Sequence, residues 1–164
     1  MYYIRLSRSN EGGAPLPNVE MMEVRDAELS PERRPAVPYL KIPKSGDPYL
    51  EGYQCGHCGA VFLTDRLACA SCTTRGEIKP IRLSNTGKLY NYTIVHRSFP
   101  GVAVPFVFAI VDLDDGGSIK GNLVGVEPRP DAIQFDMRVK VMFVDANVRD
   151  KQGNSYLAYV FTPA

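Results

Sequence analysis

The stretch CGHCGAVFLTDRLACASC, residues 55–72, contains every cysteine of a 164-residue chain, as two Cys-x-x-Cys pairs with ten residues between them. Within each pair the two intervening residues let the backbone fold back. Two thiolates can then stand about 3.5–4 Å apart, and a second pair closes a tetrahedron around one ion with metal–sulfur bonds of about 2.3 Å. Cys55, Cys58, Cys69 and Cys72 leave no open coordination position, so the spacing describes a structural site and not a catalytic one. Zinc is the expected ion, with iron as the alternative because the same four-sulfur cage accepts it. Gly59 follows the first pair, where a residue without Cβ turns left-handed easily and lets amides point at sulfur. Thr73 follows the second pair and fits that turn less well. His57 lies between two ligands that already saturate the ion, and is read as exposed.

Other uses of the thiols fit worse. Disulfides require an oxidising compartment, and the start MYYIRLSRSNEGG carries no apolar core of signal-peptide length, so a cytoplasmic setting with reduced thiols is expected. A redox Cys-x-x-Cys normally sits alone at the head of a helix in a βαβ unit. Two pairs at hairpin spacing do not match that.

The elements around the quartet divide the chain in three. Residues 1–48 hold Pro15, Pro17, Pro31, Pro35, Pro38, Pro43 and Pro48 with Gly12 and Gly13, which disfavours long helices and central strands. The segment NVEMMEVRDAELSPERR offers a strand or one or two helical turns. Tyr2, Tyr3, Ile4, Leu6, Met21, Met22, Tyr39, Leu40 and Ile42 make this leader too apolar for a solvated linker. An extended proline-rich arm lying along a partner is expected, with a disordered leader as the plainer alternative. Residues 49–82 form the metal module: YLEGYQC runs into the first knuckle, AVFLTD returns and EIKPIRLS leaves. So small a unit has little core, and the ion must hold it together.

Residues 83–164 read as β structure. GKLYNYTIVHR alternates, which predicts Tyr90, Tyr92 and Ile94 on one face and Leu89, Asn91, Thr93 and Val95 on the other. PFVFAIVDL is a continuous apolar run that ends in the turn Asp114-Asp115-Gly116-Gly117 and leads into SIKGNLVGV, a hairpin signal. RVKVMFVDA and SYLAYVFTP follow, separated by the polar loop NVRDKQGN, and PDAIQFD has room for one helical turn. Five short antiparallel strands must close to avoid exposed edges, and the OB-fold barrel is the commonest solution. The fold class is therefore mainly β: a small metal ribbon, then a five-stranded OB-fold barrel, behind the arm.

Composition narrows function. With 19 basic and 18 acidic side chains the net charge is +1 and the isoelectric point about 7.6, against the basic excess of dedicated nucleic-acid binders. No run is long enough to span a membrane.

The order YLEGYQCGHCGAVF, CASC, GKLYNYTIVHRSFPG and PFVFAIVDLDDGGSIKGNLVGV resembles a family that joins a rubredoxin-like zinc ribbon to an OB-fold and accompanies thiolases and related acyl-CoA condensing enzymes. The resemblance covers residues 49–163. The short YLEGYQC lead-in behind a proline-rich leader is most similar to the branch of small subunits of thiolases that split 2-benzoylsuccinyl-CoA in anaerobic toluene degradation. Two departures are local: the family's Gly-Met-x-Val appears as Asp136-Met137-Arg138-Val139, and the second knuckle lacks its glycine. A third puts partner contacts in doubt, because the leader replaces an amphipathic helical segment.

The resemblance implies a non-catalytic subunit that binds a catalytic thiolase chain as a hetero-oligomer and helps form the coenzyme A site for thiolytic cleavage of a 3-oxoacyl-CoA. Thiolase chemistry needs an activated cysteine and a histidine proton carrier. Here all four cysteines are committed to metal and His96 is the only histidine besides His57. No Gly-x-Ser-x-Gly, His-Glu-x-x-His or phosphate-binding glycine loop is present. Asp112, Asp114 and Asp115 beside Gly-Gly read as turn formers. For coenzyme A, Arg97, Phe99, Pro100 and Phe106 offer a cation with aromatic and proline surface for pantetheine, while Lys120, Gly121 and Asn122 offer a charge, close backbone approach and an amide. Against this, Phe99 and Phe106 also suit barrel core or partner contact, Arg97 suits an ion pair, and His96 suits packing. The competing class is a single-stranded nucleic-acid binder that stacks bases on Tyr90, Tyr92, Phe106 and Phe108. PFVFAIVDL carries no basic residue to support it.

Overall fold

The computed structural model describes residues 33–151 and 153–164. The expectations for the leader before Arg33, including most of NVEMMEVRDAELSPERR, lie outside these residues. Ten strands follow in chain order: β1 (Arg34–Pro35), β2 (Leu40–Lys41), β3 (Tyr49–Cys55), β4 (Val61–Phe62), β5 (Ile78–Arg82), β6 (Thr86–Val95), β7 (Phe106–Leu113), β8 (Ser118–Leu123), β9 (Arg138–Arg149) and β10 (Ser155–Pro163). One 3-10 turn, Pro130–Ala132, sits where PDAIQFD was expected to hold a helical turn.

The last five strands close on themselves. β7 pairs antiparallel with β6 and β8, β9 pairs antiparallel with β6 and β10, and β10 meets β8 in parallel, which gives the ring β6-β7-β8-β10-β9-β6. That is the expected five-stranded OB-like barrel, with sheet edges removed by closure. Along β7 the apolar run resolves into alternation: Val107, Ala109, Val111 and Leu113 are buried while Phe106, Phe108 and Ile110 face outward. Leu89, Ile119, Leu123, Val139, Leu157, Tyr159 and Phe161 complete the interior.

Two expectations need correction. The two faces of β6 do not alternate as read, because a bulge between Leu89 and Asn91 lets Tyr90 and Asn91 both face out. Tyr92 and Ile94 then return to the core on the same side as Leu89, and Tyr90 is left 62% exposed. The loop NVRDKQGN is also shorter than read, since β9 continues to Arg149, opposite Ser155. The remaining turn is closed by Asp150, which accepts from the Asn154 amide (2.9 Å) and side chain (2.8 Å).

The ribbon is β3 flanked by β4 and β5, with β2 added beyond Leu50. It is tied to the barrel at its base. Leu40, Leu50 and Leu83 join the barrel's buried cluster, and the β7–β8 turn lies against the ribbon. Asp115 accepts from the Ser84 amide at 2.5 Å, and a Cβ on Gly117 would stand 3.3 Å from Val61 and 3.4 Å from Leu83. Residues 33–48, read as the end of the arm, lie along their own chain: β1 runs parallel to the start of β10 and Leu40 is fully buried.

Candidate metal centre and outer face

β3 ends at Cys55, and the chain turns back at once through Gly59, whose amide donates to the Cys55 carbonyl (2.8 Å) with φ +75°. The second pair makes the same turn. Thr73 donates to the Cys69 carbonyl (2.9 Å) at φ +64°, so threonine takes the left-handed position that glycine takes in the first knuckle. The missing glycine therefore changes the strain and leaves the shape.

The two knuckles bring the sulfurs together. Cys55 and Cys72 Sγ are 3.7 Å apart, Cys58 and Cys69 Sγ 3.6 Å, and all four lie within 4.8 Å of one another. A tetrahedron with bonds of about 2.3 Å has sulfur separations of about 3.8 Å, so the quartet fits one four-sulfur ion. Cys55 and Cys69 are buried, Cys72 is half-buried and Cys58 is exposed. Amides of Cys72 and Ser71 point at the Cys69 sulfur at 3.5 and 3.3 Å, and hold its thiol below the ordinary value in favour of thiolate. The Thr74 hydroxyl, 3.4 Å from the Cys72 sulfur, brings that thiol down to about 5. The Ala60 amide pulls the Cys58 thiol the same way, but the neighbouring Cys72 thiol and burial push it up to about 11. An incoming ion therefore displaces protons, as thiolate ligation requires. His57 is exposed and stands outside the quartet.

The second set of candidates falls on the outer face of the barrel. Phe108 of β7 sits between Thr93 of β6 and Asn122 of β8, and Ile110 between Asn91 and Lys120. Phe106, Phe108, Lys120 and Asn122 thus share one face. Arg97, Phe99 and Pro100 belong to the exposed loop that leaves the sheet at Val95 and re-enters at Phe106, its partner in register. A turn inside that loop is closed by Val102 donating to the Phe99 carbonyl (3.1 Å). Gly121 is not on this face. A Cβ there would stand 3.2 Å from the rings of both Tyr159 and Phe161, so the missing side chain makes room for the barrel's own aromatics. Phe108 and Ile110 complete the apolar stripe; period-two counting from Val107 identifies them.

The acidic turn is structural. Asp114 takes both guanidinium nitrogens of Arg138 (2.6 and 2.7 Å) and the Thr86 hydroxyl, and the Arg138 bonds hold its carboxyl well below the usual range. Asp112 accepts from Ser118. Of the aromatics proposed for base stacking, the bulge separates Tyr90 from Tyr92, whose ring packs on Phe135 at 5.4 Å. Among the described residues no helix is long and apolar enough to cross a membrane.

Comparison with known proteins agrees with this architecture. The family model for the ChsH2 C-terminal OB-fold domain matches residues 81–144. A DUF35 domain-containing scaffold protein of Methanocaldococcus jannaschii is 32% identical over 117 residues, 70% of this chain and 81% of that one. The benzoylsuccinyl-CoA thiolase subunit BbsA of Thauera aromatica is 30% identical over 147 residues, 85% of this chain and 98% of that one. Among solved structures, an Ltp2-ChsH2(DUF35) aldolase matches with a TM-score of 0.55 and 27% identity, covering 70% of this chain and 84% of that one. A barrel of OB type, a four-cysteine ribbon in front of it and identity over most of a scaffold protein's length make this chain a member of the DUF35 family.

Proposed function

We propose that this chain is the non-catalytic, zinc-holding subunit of a thiolase complex. It would help form the acyl-CoA site for thiolytic cleavage of a 3-oxoacyl-CoA, with 2-benzoylsuccinyl-CoA as substrate. There a cysteine of the catalytic chain would attack the ketone carbon next to the phenyl ring. The bond from that carbon to the α-carbon would break with a proton passing to the α-carbon, so that succinyl-CoA leaves, and the thiol of a second coenzyme A would then take the benzoyl group from the cysteine as benzoyl-CoA. The observation that carries this reading is the quartet: every sulfur nucleophile of the chain lies in it, in a protein similar over 85% of its length to a thiolase subunit. The attacking enzyme cysteine and its proton carrier then belong to the catalytic partner. Zinc is favoured by the four-thiolate set in a site without an open position. Its part is to hold the knuckles; the reaction does not pass through it.

In this proposal the arm (1–48) and ribbon (49–82) contact the thiolase chain and the OB-fold (83–164) presents the ligand face. Lys120 and Arg97 would face coenzyme A phosphates, Phe99, Pro100 and Phe106 would line the pantetheine arm, and Asn122 would bond one of its amides. Gly121 would serve the packing behind that face. Nucleic acid and membrane have no role in the proposal, and a cytoplasmic location suits thiols that must stay reduced to bind an ion. Reconstitution with the thiolase-type partner tests it. Cleavage should require both chains, and Lys120→Ala should raise the KM for coenzyme A about 5- to 10-fold, the order of one charge-assisted contact. Turnover by this chain alone would refute the assignment.

A further inference from the structure

The seam between β8 and β10 is held differently from the rest of the barrel. These parallel strands share one register pair, Phe161 with Leu123, and the Val124 amide donates to the Phe161 carbonyl at 2.8 Å. Further back along β8 a side chain takes over. The Tyr159 hydroxyl donates to the Lys120 carbonyl at 2.8 Å. Tyr39, on the turn before β2, meets the same hydroxyl at 2.8 Å. A phenol has one proton, and Tyr159 gives its own to Lys120, so Tyr39 must be the donor to Tyr159. The result is a directed chain from Tyr39 through Tyr159 to the β8 backbone, in which each donation polarises the next.

The surroundings fix this chain in place. Tyr159 is 8% exposed, with the Phe161 ring edge-on at 5.8 Å and the Tyr39 ring tilted at 6.1 Å. Burial pushes its phenol well above the ordinary range, so it keeps its proton. Gly121 leaves the space that the Tyr159 and Phe161 rings occupy. Tyr39 is tethered in turn, because its carbonyl accepts from the Glu51 amide at 2.7 Å and Leu40 beside it is fully buried.

Lys120 and Asn122 project from the opposite face of this short strand. We propose that Tyr39 and Tyr159 are positioning residues, which fix β8 so that Lys120 and Asn122 are presented to the phosphate and amide groups of coenzyme A. The inference rests on the coenzyme A reading of the outer face. It makes the segment before the ribbon part of the ligand site's support, although that segment lies far from the ligand face in sequence.

The test uses the zinc-loaded full chain in complex with its catalytic partner. Tyr39→Phe and Tyr159→Phe keep the rings and remove one hydroxyl each. Amide hydrogen exchange along β8 and the affinity for coenzyme A are both read. Both variants should retain zinc, exchange the Gly121 and Leu123 amides about 5-fold faster and bind coenzyme A about 5-fold more weakly, the order of one lost hydrogen bond. In a Lys120→Ala, Asn122→Ala background the tyrosine effect on affinity should vanish, because contacting groups are non-additive. Unchanged exchange along β8, or losses that simply add, would overturn the positioning role. If Lys120→Ala leaves the affinity unchanged, the ligand reading of the face falls instead, while the exchange data still decide whether the tyrosines fix the strand.

Discussion

Thr73 shows how a single residue is strained by the shape of the metal loop. Its φ of +64° lies in the left-handed region, which costs an L-residue about 1–2 kcal/mol and glycine almost nothing. Thr73→Gly is therefore expected to raise stability by about 1 kcal/mol with zinc content unchanged, read as a higher melting temperature of the loaded protein. Acid should act on the same loop through Cys72. Its folded value of about 5 is below the ordinary thiol value, so its contribution is fully present above that ordinary value and is lost as pH falls through about 5. The ion-free protein should accordingly lose stability in denaturant as pH falls through about 5; stability that does not change there would contradict this. The quartet was legible in the sequence because its spacing is local. The role of Gly121 was not, because it depends on Tyr159 and Phe161, which the barrel brings to it from a distant strand.

At the scale of elements, barrel closure turns on how β6 changes partners. Its first residues pair with β9 and its full length with β7, and the bulge at Tyr90 supplies the added twist. Strand existence and order could be read from alternation and the Asp-Gly turn. The bulge could not, because Tyr90 and Tyr92 look alike to a pattern that counts apolar residues. Gly87 sits where β6 lies tightest on β7. A Cβ there would collide with the Asp112 carbonyl and stand 2.9 Å from both Leu113 Cα and Val111 Cγ1. Gly87→Ala should cost about 2–4 kcal/mol, because the clash is with backbone that cannot move aside, and denaturant titration would measure it.

Over the whole molecule, the ribbon and barrel are joined by shared packing more than by the linker at Leu83. Leu40, Leu50 and Leu83 belong to the same buried cluster as Leu89 and Phe161. Leu40→Ala should cost about 2–5 kcal/mol, as for a fully buried leucine whose cavity cannot collapse. Sequence reading took this leucine as arm surface for a partner, since prolines on both sides hid its place in the fold. The central claim is that all four thiols hold one ion, leaving the bond-breaking nucleophile to another chain. The most direct measurement is metal content together with the number of alkylatable thiols on the folded, purified protein. One zinc per chain with no thiol reacting until the protein is denatured or stripped by chelator is the predicted result. A well-folded chain without metal, or one whose bound ion stays while a single cysteine is alkylated, would contradict it.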